Sequence, residues 1–277
     1  MNPVAKALWL IESGLQAEVT LERLAQVCGV SRFSLLRAFG AVTGCSVMSY
    51  LRARRLSEAA RVLATGAPNI LDVALDAGYG SHEAFTRAFR EQFGLTPQAL
   101  REQSHLNGIT LMEPFRMDQQ HFIDLEAPRF ETSQPMLIAG LGERYTFDTN
   151  DGIPRQWQRF SPWIGRVPGE VKGVAYGVCC NGDGNDSFEY IAGVQVASTS
   201  GLPADFHHVQ IPQRRYAVFT HRKHISTIRD TINAIWNKWL PESGFRHGNA
   251  PDFERYDQAF DPATGNGSFE IWVPIED

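Results

Sequence analysis

The chain repeats itself. Ser31 and Ser81, Arg37 and Arg87, Phe39 and Phe89, and Gly44 and Gly94 match residue for residue at an offset of 50. Just upstream, Leu24-Ala-Gln-Val-Cys-Gly-Val-Ser31 is echoed by Val73-Ala-Leu-Asp-Ala-Gly-Tyr-Gly-Ser81. A duplicated segment folds twice into the same small unit, which removes most alternatives for the first hundred residues. Each copy predicts a short helix, a tight turn and a second helix. Ala25 and Ala74 leave room where two helices cross, and Gly29 and Gly78 close the first helix. Ser31 and Ser81 carry the side chain that caps the next one. Leu35, Ala38 and Phe39, with their counterparts Phe85, Ala88 and Phe89, give that helix an inward face. Each copy is a helix-turn-helix.

Between the copies, Met48 to Ala64 predicts one long helix, with Leu51, Ala59 and Val62 inward and Arg52, Arg54, Arg55 and Arg61 mostly outward. Gly66-Ala-Pro68-Asn69 ends it. Leu95-Thr96-Pro97 then supplies an N-cap and a first-turn proline for a short final helix through Arg101. Two such units joined by a helix, with Ala77-Gly78-Tyr79 and Phe85-Thr-Arg87-Ala-Phe89-Arg-Glu-Gln-Phe93-Gly94, resemble the DNA-binding domain of AraC/XylS-type regulators over residues 20–102. The resemblance implies double-stranded DNA as partner, with RNA polymerase a further candidate.

The second helix of such a unit enters the major groove and offers its outward, N-terminal residues to base edges. Subtracting the inward positions leaves Arg32, Phe33, Leu36 and Arg37 in the first copy and His82, Glu83, Thr86 and Arg87 in the second. Arginine can bridge guanine O6 and N7, glutamate can accept from cytosine N4, and Thr or Leu can touch a thymine methyl. Arg37 and Arg87 hold equivalent places and rank first. Leu36 stands where the family often has a polar residue, so the first copy is expected to read less sequence. Ser31, Ser81 and Arg54 are placed for phosphates, which position without specifying. Both units lie in one chain, so a monomer can address two successive groove faces about one helical turn, ~34 Å, apart. The net charge of −5 conceals a split: residues 1–105 carry 11 Lys and Arg against 9 Asp and Glu, whereas the remainder carries 15 against 22.

Residues 106–120 read as a linker, and 121–277 as a second domain of α+β class built from two strand–helix–strand–strand units. Its first unit is a strand from Met136 to Phe147, a helix over 153–164, and strands over 174–180 and 188–196 joined by a turn at Asn181–Asp186. The second unit has a strand over 208–221, a helix over 228–240, and a closing strand Phe269–Ile275 that parallels Phe188–Val194. This duplicated layout resembles the GyrI-like ligand-binding domain, which implies a small-molecule effector. Trp157, Trp163, Tyr176, Tyr190, Trp236 and Trp272 are concentrated here with Glu189 and Glu270. Aromatic walls around a carboxylate suit a lipophilic cation. The resemblance implies a buried glutamate on the last strand, Glu270 by motif, with Glu189 its counterpart. On an alternating strand both could instead face water opposite a core residue.

Other chemistry finds little support. No Ser-His-Asp pattern is present. His207-His208 and His221-x-x-His224 lack the third ligand of a zinc site, and Cys28, Cys45, Cys179 and Cys180 read as buried free thiols. No metal and no cofactor are expected, and no catalysis, although a hydrolase or a ligand-free protein-interaction module are the alternatives for the second half. Val4, Leu8, Ile11 and Leu15 form a helical stripe rather than a secretory leader, and no apolar run approaches the ~20 residues of a membrane span. The expected compartment is the cytoplasm, with no membrane partner. On this reading Arg37→Ala and Arg87→Ala should each cost about 1–3 kcal/mol at their own base positions in competition binding against mismatched duplexes.

Overall fold

The computed structural model describes residues 2–67, 69–117, 122–146, 149–182 and 187–277. Pro68, part of the expected linker (118–120) and its boundary at 121, the expected strand end at Phe147, and most of the expected turn at 183–186 lie outside the described residues.

The N-terminal region is helical: α1 (Pro3–Ser13), α2 (Leu21–Cys28), α3 (Arg32–Thr43), α4 (Val47–Ala64), α5 (Ile70–Asp76), α6 (His82–Phe93) and α7 (Pro97–Gln103). Every one of these helices starts at a side chain that can accept from a free backbone N–H. Asn2, Thr20, Ser31, Ser46, Asn69, Ser81 and Thr96 all do so. Gly44 and Gly94 close α3 and α6 at φ of 73° and 76°, backbone that a side chain disfavours. The connecting helix α4 departs from its expected faces. Its core stripe is Leu56, Ala59, Ala60 and Leu63, spaced three and four apart, so Val62 falls off the stripe and is 48% exposed. Arg54, expected outward, is only 3% exposed, because its row with Tyr50 and Ser57 packs under the segment after α7.

The C-terminal region is mixed α and β around one large antiparallel sheet. Its strands are β1 (Arg129–Thr132), β2 (Met136–Thr146), β3 (Glu170–Cys180), β4 (Ser187–Val196), β5 (Phe206–Ile211), β6 (Arg215–His221), β7 (Arg246–His247), β8 (Asp252–Tyr256) and β11 (Phe269–Glu276), with β9 (Phe260–Asp261) and β10 (Asn266–Gly267) forming a separate hairpin. The order β1-β6-β11-β8-β3-β4-β2-β5 is a palindrome of two units, β2-α8-β3-β4 and β6-α9-β8-β11, meeting at β3 and β8. The helices are α8 (Ile153–Phe160) and α9 (Ile228–Ala234), the latter running on through a π-helical turn, Ile235–Trp239. Each unit's outer edge is covered by a strand from the other: β1 on β6, β5 on β2.

The cores do not divide as the sequence halves do. One apolar cluster runs from Val4, Leu35 and Phe39 through Trp236 to Tyr190, Phe219 and Phe269, so the first helix-turn-helix shares its core with the helix-bearing face of the sheet. The second helix-turn-helix has its own cluster around Phe85, Phe89 and Leu100, and is joined to the rest along α4. The opposite sheet face forms a third, with Tyr176, Tyr216, Phe253 and Trp272.

Where β3 meets β8, Gly177 pairs with Glu254, and an added Cβ would collide with the Tyr190 hydroxyl and the Glu254 carboxylate. Gly177→Ala is expected to cost about 1–3 kcal/mol, the range for forcing a methyl into a packed site. Urea unfolding should show a lower midpoint at unchanged slope.

Candidate DNA interface and ligand site

In the second unit the sequence expectation and the structure place the same residues together. Ser81 caps α6 through the Ala84 N–H at 3.2 Å, and Phe85 and Phe89 hold the inward face. His82, Glu83, Thr86 and Arg87 then line an open concavity with Arg90 and Thr96. Arg87 is exposed there. The Glu83 carboxyl is held below its ordinary range, by its own backbone N–H and then by the Ser81 hydroxyl, so it is an acceptor.

The first unit is arranged differently. Arg32 pairs with Glu22 at 2.6 Å on the surface, and Ser31 caps α3 through the Ser34 N–H. The next outward residues face protein. Phe33 stacks on His247 with centroids 5.0 Å apart and stands edge-on to Trp236 at 6.2 Å. Leu36 is 6% exposed. Arg37 forms an ion pair with Asp252 of β8, its guanidinium 5.7 Å from the Trp236 ring centroid and 5.9 Å from that of Phe188, and its side chain is 11% exposed. Burial works against the guanidinium charge, but Asp252 above all, with Cys179 and Glu254, outweighs it and the group stays protonated. His247 is pushed down to about 3 by burial and by Arg37, so its ring is neutral. The π turn adds a polar clamp: Asn237 donates to the Ala38 carbonyl at 2.9 Å, and its own carbonyl accepts from Asn2 at 2.6 Å.

Arg54 corrects the phosphate expectation. Its guanidinium donates to both Glu12 oxygens, to Glu58 at 3.0 Å and to the Met112 carbonyl at 2.8 Å. A buried group so occupied ties α1, α4 and the segment after α7 together and has no face left for a phosphate.

In the C-terminal region the expected effector residues do not converge. Glu270 sits on the face away from the helices, bonded to Arg129 at 2.5 Å, Arg255 at 3.4 Å and the Trp272 indole at 2.9 Å. Trp272 stacks on Phe253, and Tyr176 meets the same ring edge-on. Glu189 accepts from Asn181 at 2.6 Å and contacts His207. Trp163 lies partly exposed against Phe206. Trp157 reaches the helix-facing side, where its indole N–H donates to the Tyr190 hydroxyl at 2.9 Å.

That hydroxyl leads to a group the sequence reading passed over. Tyr190 donates to Glu254 at 2.5 Å and Tyr256 donates to the same oxygen at 3.2 Å. Trp157 packs edge-on to Tyr256 at 5.2 Å. Burial pushes the Glu254 carboxyl up to about 7, against the two phenols and Arg37, which favour its charge. Among the described residues no Lys or Arg forms an ion pair with it. Asp252, Glu254 and Tyr256 alternate along β8 and therefore point to one face. That Asp-x-Glu-x-Tyr alternation was the available signal.

Comparison with known proteins fits both halves. A model of the GyrI-like small molecule binding domain matches residues 126–276. The chain belongs to the GyrI-like family. A helix-turn-helix domain model matches residues 24–103, and the layout is that of AraC-type regulators. Transcriptional regulator Rob of Salmonella typhimurium is 27% identical, over 97% of this chain and 96% of its own. Transcriptional regulator BrlR of Pseudomonas aeruginosa is 30% identical over 60% of each chain. The activator AarP of Providencia stuartii is 30% identical over 40% of this chain and 83% of its own. This GyrI-like protein is a DNA-binding transcription regulator. Among the described residues no helix is long and apolar enough to cross a membrane.

Arg54→Ala is expected to lower stability by about 3–5 kcal/mol, the cost of stranding the partners of a buried ion. The salt dependence of DNA binding by the folded fraction should be unchanged, whereas loss of a phosphate contact would reduce its slope.

Proposed function

We propose that this regulator reads duplex DNA as a monomer, with α6 as its open reading surface, and that its GyrI-like domain binds a small organic cation at Glu254. The observation that carries the ligand reading is the Glu254 carboxyl itself. It is enclosed by Tyr190, Tyr256 and Trp157, and among the described residues its hydrogen bonds come from phenols and it has no ion pair with Lys or Arg. A carboxylate in that setting gains more from an arriving cation than one already paired, as Glu270 is. Aromatic faces beside it add cation–π attraction, and the apolar lining favours a lipophilic cation over a hydrated metal ion. Arg87, Thr86, His82 and Glu83 present the donor and acceptor types that discriminate base pairs in the major groove, and Ser81 stands at the helix end that meets a phosphate. The names of Rob, BrlR and AarP support a role at promoters, where RNA polymerase is the natural further partner.

Titrating the full chain with tetraphenylphosphonium or a similar aromatic cation should quench tryptophan fluorescence saturably, since Trp157 lies against Tyr256 and Tyr190 at the site. Glu254→Gln should weaken binding at least about tenfold, the range for desolvated charge pairing. Because free Glu254 titrates near 7, affinity should rise from pH 6 to pH 8 and level off above, the ionised carboxylate being the binding form. A pH-independent affinity, or full binding by Glu254→Gln, would place the cation elsewhere.

A further inference from the structure

The side chain that fills the space beside Glu254 belongs to the other half of the molecule. Arg37 projects from α3 onto Asp252, one alternation along β8 from Glu254, and lies over the rings of Trp236 and Phe188. Asp252 is 3% exposed, so its carboxylate has no function on a free surface; it is a buried counter-charge. One carboxylate and two aromatic faces around a planar cation make a guanidinium-binding socket. The fit is incomplete: Arg37 Nε, Asp252 Oδ1 and the nearby His247 Nε2 are buried without hydrogen-bond partners. Arg37 meets Asp252 through one nitrogen, Nη2, and one oxygen, Oδ2. An amidinium arriving edge-on would give each carboxylate oxygen its own N–H, Oδ1 included.

We propose that this socket is a site for small guanidinium or amidinium ligands, that Arg37 occupies it as a tethered stand-in, and that a ligand displacing Arg37 releases α3 to enter DNA. The same side chain cannot lie on Asp252 and reach a base edge. Socket and major groove therefore compete for α3, and Phe33 and Leu36 are uncovered or covered with it. The sign follows: ligand increases DNA affinity, by removing a conformational cost. If the released form is about a tenth of the population, full release strengthens binding about tenfold. This goes beyond the effector reading above: the acid is Asp252 rather than Glu254, and the ligand's arrival moves a helix.

The test is a set of DNA affinities measured by fluorescence anisotropy on the full chain, with a duplex selected from a random 40-base-pair library. Asp252→Asn removes the counter-charge, and should tighten DNA binding several-fold in the wild-type background but not beside Arg37→Ala. Phe188→Leu, which leaves Asp252 in place, should tighten it in the same direction if Asp252→Asn fails to fold. Benzamidine at millimolar concentration should strengthen wild-type binding relative to equimolar sodium chloride and leave Asp252→Asn unaffected. The proposal is overturned if every folded socket variant matches wild type, if the gain persists in the Arg37→Ala background, or if benzamidine acts no differently from salt. The effector reading at Glu254 fails separately, on loss of aromatic-cation quenching, whatever these affinities show.

Discussion

The ion pair between Arg37 and Asp252 decides how this molecule is put together. It joins the second helix of the first helix-turn-helix to a strand of the C-terminal sheet across 215 positions of sequence, and it does so out of water. Such pairs add little net stability, because desolvation consumes most of the attraction, but breaking one side is costly. The pair's effect is therefore on geometry more than on stability. It fixes which face of α3 meets the sheet, and the surrounding contacts follow: Phe33 on His247, Leu36 inside, Asn237 on the Ala38 carbonyl. The first helix-turn-helix becomes part of the C-terminal core, while the second remains a module attached through α4.

The same region gathers the unusual electrostatics. Asp252 and Glu254 lie on one face of one strand, and both carboxyls are raised by burial. Of the two, among the described residues, Asp252 is the one that forms an ion pair. The two acids thus divide the work: one holds the neighbouring helix, and the other is left with phenols and a carboxyl poised near neutrality. The π turn in the helix above, Ile235–Trp239, places Trp236 and Asn237 against α3 where a regular α-helix would carry them round the axis. Gly177 gives Tyr190 the room to reach Glu254. Each feature serves the seam between the halves.

Much of this was legible in the residues. The duplicated Ser–Arg–Phe–Gly pattern dictated two helix-turn-helix units, and local rules placed the caps at Ser31, Ser81 and Thr96 with their helices. The pseudo-twofold of the second half followed from Phe188–Val194 and Phe269–Ile275. Periodicity failed where tertiary contact overrides it. Arg37 and Arg87 are equivalent in sequence, and no local rule says that one meets a carboxylate from another domain while the other meets solvent. Leu36 carried a trace of it, an apolar residue at a position suited to a polar one. Arg54 was misplaced for a related reason: a buried arginine is legible only through its partners, and Glu12 and Met112 are distant in the chain. Resemblance between strands points to Glu189 and Glu270, not to Asp252-Phe-Glu254-Arg-Tyr256, whose two-residue alternation sets both acids and a tyrosine on one face.

Phenylglyoxal labelling of the intact chain, read residue by residue by mass spectrometry, tests the seam most directly. With Arg37 held against Asp252 and Arg87 open to solvent, Arg87 should be modified rapidly and Arg37 about tenfold more slowly, in proportion to the fraction of molecules in which α3 is released. Equal rates at the two arginines would mean that α3 stands free of the sheet, and that the union of the two halves is not the state of the molecule in solution.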